Sequence, residues 1–422
     1  MQTNEKYPTR RRVQSPGSGI GFWASLGFLA WLLAGALISR VFVTGDLCTQ
    51  VLVFCFGFIW AIFGPFSLSF FLSEAAGRAL YEGDFKLAYK IASLGVAVDR
   101  AVLPLVNLFG IYDTPLAVIN LLNLANSQLL LSRFKEATEN LEESLDKSQG
   151  TFGWDNHLTR LITGFLATSY LYLSRFIEAE SFYSKTIAGN TRLLEELKEQ
   201  EEEPAQFEVV STLASLSQDR YWLARVKDIR GLVDEAEAIY RSAIETIFDN
   251  TEYDTDMLAN HMIALGTLLI DRGSLEEAES LIERGHEIRK EIFSERHYIV
   301  SGSFLALGKL RLAQGRLSEA GELLKKALSI REDFELKRHP EGAEAICALG
   351  ELAFARGENE EAEAMFKQAI EIYEETVGEN FCDIALVLAP YIKLLQKEKR
   401  EDESLALQAR LTFIRSLYRK SS

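Results

Sequence analysis

Residues 348–375 read ALGELAFARGENEEAEAMFKQAIEIYEE, and this stretch sets the architecture of the chain. Apolar side chains recur at helical spacing as far as Arg356, and Gly357 then supplies the residue that takes the left-handed conformation ending a helix. Asn359, Glu360 and Glu361 mark the start of a second helix, where acidic side chains are favourable. Two helices joined by so short a turn form a hairpin. Gly350 and Ala369 sit where helices cross, because a side chain near alanine in size lets two backbones approach to roughly 8–10 Å. Leu349 and Phe366 fill the remaining space.

Working outward, the same slots recur with one fixed period, the step of 42 from Gly308 to Gly350. Ala224, Gly266, Gly308 and Gly350 hold the first, and Gly231, Gly273, Gly315 and Gly357 hold the turn. Ala236, Ala278, Ala320 and Ala362 then open the second helix, with Ala243, Gly285, Ala327 and Ala369 seven positions on. Upstream, Ala125, Ser132 and Ala137, then Ala167, Ser174 and Ala179, are two further copies. Downstream, Ile392, Ser404 and Leu411 fit less well around the KEKRED turn, as a capping repeat would. Gly83 and Ala88 mark a degenerate first hairpin, so the pattern predicts seven hairpins and an eighth at the N-terminal end. A fixed period of this length means stacked supersecondary units that present an extended surface.

The register breaks once. The step from Ala167 to Ala224 exceeds one period, so an extra segment is inserted there, and it includes LEELKEQEEEPAQ (194–206). This acidic insert near 190–207 reads as a turn-rich addition, or as a solvated helix extension followed by a loop at Pro204, and its glutamates offer a dock for a basic partner.

Slot by slot, the pattern resembles the tetratricopeptide repeat (TPR). The long period, the segment ALSIRE (327–332) and the His339-Pro340 turn are similar to the repeats of kinesin light chains and their bacterial relatives. The resemblance implies an all-α fold, a TPR-type helical-hairpin solenoid wound as a right-handed superhelix. Kinesin light chains precede their repeats with a heptad coiled coil, where this chain is apolar, so no motor-cargo role is implied.

Residues 20–39 (IGFWASLGFLAWLLAGALIS) carry no charge and, at about 1.5 Å per residue, match the hydrocarbon thickness of a bilayer. Residues 47–73 form a second uncharged stretch beyond Arg40 and Asp46. A two-span transmembrane hairpin is expected. Lys6, Arg10, Arg11 and Arg12 precede it, so the positive-inside tendency puts the N-terminus, and with it the repeat domain, in the cytoplasm, at a cell (plasma or inner) membrane. The expected organisation is a flexible basic tail (1–19), the spans (20–73), a membrane-proximal helical segment with the degenerate repeat (74–117), and the solenoid (118–420).

Charge is unevenly shared along the 422 residues, whose net charge is −16. Residues 1–74 hold five basic against three acidic side chains, leaving 40 against 58 in the rest. So acidic a domain is repelled by nucleic acid and anionic headgroups. The four cysteines form no CxxC; Cys347 and Cys382 suit reduced thiols in separate repeats. No catalytic, cofactor, metal or small-molecule motif is present: His286-Glu287 lacks the second histidine of HExxH, and GSGIG at 17–21 follows no strand. His297 and His339 stand one period apart and read as helix caps, while His157 and His261 have no evident partner.

The concave groove is then the candidate site. Groove positions carried over by the TPR resemblance are Asn123 and Asn126, Phe165 and Tyr172, Tyr221, Trp222 and Arg225, and further on Lys309 and Lys393. Asparagine amides can bond an extended backbone, aromatics provide anchor area, and Arg225 or Lys309 can pair with a carboxylate. The expected function is a non-enzymatic, membrane-anchored scaffold binding protein partners. The alternative is a structural or assembly subunit of a membrane complex, packing through its transmembrane hairpin.

Overall fold

The computed structural model describes residues 68–108, 115–199, 206–251 and 254–419. Among them are sixteen α-helices, paired as hairpins, and no strand. In order these are α1 (68–82) with α2 (Phe85–Leu108), α3 (Pro115–Leu130) with α4 (Phe134–Phe152), and α5 (His157–Tyr172) with α6 (Phe176–Glu199). Then come α7 (Gln206–Ile229) with α8 (Val233–Asn250), α9 (Asp256–Asp271) with α10 (Leu275–Ile292), and α11 (Tyr298–Ala313) with α12 (Leu317–Asp333). A short 3₁₀ turn leads to α13 (Pro340–Arg356) with α14 (Asn359–Thr376), and α15 (Ile384–Lys397) with α16 (Glu401–Arg419) closes the series. The eight hairpins among the described residues match the ladder, including its degenerate N-terminal copy.

The expected span at 20–39 lies outside the described residues, as does that at 47–73 except for 68–73, which are helical and run unbroken into 74–82. Among the described residues no helix is long and apolar enough to cross a membrane.

Two compact units divide the described residues: those of 68–131 with Glu136–Trp154, and those of Ser132–Lys135 with 155–419. In the first, Ala76, Ala92, Val96, Leu121 and Leu124 form an apolar core. Beside it a polar trio ties three helices: Asn120 Nδ2 donates to Ser69 Oγ and to Asp99 Oδ2, both at 2.8 Å, and Ser69 Oγ donates to Asp99 Oδ1 at 2.5 Å.

In the second unit each turn between paired helices has the same construction. Gly231, Gly273, Gly315 and Gly357 take φ of +74 to +81°, and the next N–H reaches back to the carbonyl five residues earlier, as from Glu358 to Ala353 at 2.9 Å. The first slot shows why small residues are needed. A Cβ on Gly266 would lie 2.5 Å from Ile282 Cγ1 and 3.1 Å from the Ala278 carbonyl oxygen.

The insert is chiefly helix rather than turn. α6 and α7 each run 24 residues, against 16 to 18 for α9 to α11, because Leu194 turns inward to pack with Leu213 and Leu216, and Leu197 is buried as well. Residues 200–205, with Pro204, lie outside the described residues. His297 and His339 cap α11 and α13: their Nδ1 atoms accept from the N–H groups of Ile299 and Glu341, each at 3.3 Å.

Candidate functional site: the inner face of the solenoid

Along the second unit the first helices of successive hairpins, α5, α7, α9, α11, α13 and α15, pack closely on one another in series, whereas their partners from α6 to α16 meet only sparsely, through side-chain pairs such as Arg241–Glu277 and Arg410–Glu374. Helices that pack closely on both neighbours of their own kind lie on the shorter radius of a curved stack, so these first helices line its inner side. The groove positions on them therefore share one surface.

Tyr172, at the end of α5, is the centre of an aromatic group. Its ring stacks on Phe134 at 4.3 Å and on Phe381 at 5.9 Å, and meets Trp222 edge-on at 6.0 Å. Phe134 also lies 6.5 Å from the His339 ring. Phe381 and His339 belong to the ends of the chain's last two connections between hairpins, so these contacts join Phe134, α5 and α7 to segments several repeats further on. The stack curls until its later repeats meet its earlier ones.

An ion pair completes this seam. Arg225 Nη2 donates to Asp383 Oδ2 at 3.0 Å while the guanidinium carbon lies 6.0 Å from the Trp222 ring. Asp383 occupies the N-cap of α15 but makes no side-chain capping bond, because its carboxylate is turned to Arg225 instead. The turn ahead of it is fixed by Gly378, at φ +98°, whose carbonyl accepts from the Phe381 N–H.

Deeper along the inner face Lys309 Nζ donates to Glu344 Oε1 at 2.6 Å. Burial acts to raise the Glu344 carboxyl, but Lys309, Arg331 and Arg225 together hold it down at about 2. Burial alone would lower Lys309, and Glu344 reverses this so that the amine is raised. Three carboxylates nearby make no ion pair among the described residues. Asp228, Asp271 and Glu351 are all pushed up by burial, against the pull of Arg225 on Asp228 and of Lys309 on the other two; the charges of Asp271 and Asp383 add to the rise of Asp228, and those of Asp271 and Glu344 to that of Glu351. Asp228 and Asp271 remain open to solvent on one side.

The remaining expected groove residues are placed as follows. Tyr221 meets Trp222 edge-on at 5.1 Å and His261 at 6.3 Å, so it belongs to the packing between α7 and α9. Phe165 is half-buried on α5, two turns before Tyr172. Asn123 and Asn126 lie in the other unit, where the Asn123 amide donates to the Ser73 carbonyl at 3.2 Å and Asn126 is half-buried. The structure thus brings together Tyr172, Tyr221, Trp222, Arg225 and Lys309. Their expected carboxylate contacts are made by Asp383 and Glu344 of the chain itself. Phe381, Asp383 and Glu344 escape a reading by motif; the one signal for Phe381 is its place in the slot of His297 and His339, one period beyond the latter. Among the described residues no cluster of His, Cys, Asp or Glu is arranged to hold a metal ion.

Tetratricopeptide-repeat families match residues 258–298 and 300–375. No curated relative matches the sequence. Among solved structures, the Rap conjugation gene regulator of plasmid pLS20, in complex with the Phr* peptide, is similar over 84% of this chain and 96% of its own, with 12% identity and a TM-score of 0.56. A Rap protein complexed with Competence and Sporulation Factor is similar over 83% of this chain and 98% of its own, with 13% identity and a TM-score of 0.51. A putative kinesin light chain of Podosopora anserina with nearly identical TPR-like repeats covers 48% of this chain and 97% of its own, with 20% identity and a TM-score of 0.33. Helix pairs of fixed period, a left-handed turn residue in each and small residues at every crossing are thus joined by a direct sequence match: the chain carries tetratricopeptide repeats, stacked into an all-α solenoid.

Proposed function

We propose that this chain is a membrane-anchored TPR scaffold that holds a basic segment of a protein partner along its inner face, on the cytoplasmic side of the membrane. The observation carrying this reading is the charge left over there. Arg225 and Lys309 already have partners in Asp383 and Glu344, whereas Asp228, Asp271 and Glu351 make no ion pair among the described residues. Lysine or arginine side chains on an extended segment would supply the missing cations and favour the charged form of carboxyls that burial raises. The two Rap structures sharing this fold each hold a peptide or factor, which supports a segment rather than a folded domain as the occupant. Anchoring rests on the two uncharged stretches at 20–39 and 47–73, and the cytoplasmic side on the basic residues before them.

Crosslinked capture from membranes tests the reading. The full chain should recover a partner, a chain lacking residues 20–73 should still bind it, and a variant combining Asp228→Asn, Asp271→Asn and Glu351→Gln should lose most of it. Recovery unchanged by the triple variant would remove the inner face from the account.

A further inference from the structure

The outward side of the last helix departs from the pattern of α8, α10 and α14, and from α12. On α14, Glu363, Lys367, Glu371 and Glu375 succeed one another every fourth residue and form one stripe along the helix. The corresponding positions of α8 and α10 are all charged as well, and those of α12 hold Gly321, Lys325, Ser329 and Asp333. On α16 the same four slots hold Leu405, Ala409, Phe413 and Leu417. Leu405 is 61% exposed, Phe413 53% and Leu417 44%. A missing neighbour accounts for the exposure of Leu405, whose counterpart Glu363 bonds Tyr391 and Arg400 of the next hairpin, but not for that of Phe413 and Leu417, because Lys367, Glu371 and Glu375 stay exposed although a hairpin follows α14. Only the later part of the stripe lies away from the stacking direction, since Arg241, Glu283 and Glu363 bond the hairpin that follows each of them, and its change to apolar character is particular to α16.

The pattern on α16 matches itself when reversed. Leu405 and Phe413 stand four positions either side of Ala409, a residue small enough for close helix approach. The helix opens with exposed Glu401, Asp402 and Glu403, while residues 404–422 contain Arg410, Arg415, Arg419 and Lys420 and no acid. Glu401 and Arg415 fall within about 40° of one another around the helix, on one flank of the stripe.

We propose that α16 pairs with α16 of a second copy of this chain, antiparallel about a two-fold axis at Ala409, with Leu405 of each copy seated on Phe413 of the other. The arrangement is isologous and closed. It sets the acidic start of each helix beside the basic end of the other, the relative orientation that draws together two copies of a chain whose net charge is −16. One helix of 19 residues offers less than the roughly 800 Å² per partner of a standard stable interface, so the pairing is concentration-dependent. It leaves the inner face of each copy open and is independent of what binds there.

Disulfide trapping of the full chain in its membrane, with Cys48 and Cys55 changed to serine, tests this. Ala409→Cys should give a covalent dimer under mild oxidation, and Glu371→Cys, on the same side of the preceding repeat, should not. Adding Phe413→Glu or Leu405→Glu to Ala409→Cys should lower the yield about tenfold, matching about 1.4 kcal/mol of lost association, without shifting the thermal melt. Absence of the Ala409→Cys dimer overturns the proposal, as does an equal yield from Glu371→Cys. It is equally overturned if α16 binds phosphatidylserine vesicles through Phe413 while the chain stays monomeric.

Discussion

Ser132, Ser174 and Lys399 occupy the turn slot held elsewhere in the ladder by glycine, and each takes the left-handed conformation, with φ of +59 to +60°. A side chain there costs energy that glycine avoids. Ser174→Gly and Lys399→Gly should therefore each stabilise the fold by up to about 1 kcal/mol, read by urea melts, whereas Gly357→Ala should destabilise it by a similar amount. Two buried titratable residues make stability depend on pH in opposite directions. His261 is fully buried with Nε2 3.0 Å from the Ser217 carbonyl, which can only accept, so Nε2 carries the proton. Burial, with Arg220 adding to it, lowers this imidazole to about 4. The contribution of neutral His261 is present above its unfolded value near 6.5 and is lost as pH falls toward 4. Asp219 is pushed up to about 8 by burial, with the Thr186 hydroxyl opposing, so the folded chain holds this proton more tightly than the unfolded one. Its contribution is complete below about pH 4 and declines as pH rises through 8. Asp219→Asn should gain more than about 1 kcal/mol at pH 7.5 and flatten the melting temperature between pH 5 and 8.

At the scale of elements, the seam is the part whose energetics are least local. Phe381 is 2% exposed, and Phe381→Ala should cost about 3 kcal/mol. Arg225→Ala and Asp383→Ala should be non-additive, with a coupling of at least about 1 kcal/mol in a double-mutant cycle followed by denaturant; additive losses would mean that the 3.0 Å pair contributes nothing. Hairpins, turns and crossings were legible in the sequence because their causes lie within a few residues of their effects: Gly357 ends α13, and Gly350 lets α14 approach. The helical character of the insert was half legible, since LEELKE is a good helix former and only Leu194 and Leu197 are buried along it. The inner face was legible as a set of slots but not as a set of contacts. Which carboxylate meets Arg225 depends on how far the stack curls per repeat, and the answer lies 158 residues away. Nor does spacing show that Asn123 gives its amide to Ser73, because that bond depends on how α3 lies beside α1.

For the whole molecule, topology is the open quantity with a direct test. Cys347 and Cys382 are 6% and 4% exposed, and burial pushes both thiols up, so they report folding rather than sidedness. Lys367 is 61% exposed at its side chain, on the outer side of α14. With Lys367→Cys, a reagent that cannot cross membranes should label the chain only after cells are permeabilised; labelling of intact cells would place the repeats on the other side.

A stack of repeats ordinarily melts from its ends, each unit depending on its neighbours alone. Here the last hairpin is tied back to α5 and α7 through Phe381 and Asp383, so α15 should exchange its amide hydrogens at the pace of the middle of the chain rather than as a fraying end. The tie also acts on time. A segment arriving at the inner face must either thread past the seam or wait for it to part, so seam opening enters its association rate. Asp383→Asn, by loosening the tie, should speed capture more than it changes release, making the contact that steadies the solenoid also the gate that paces its partner.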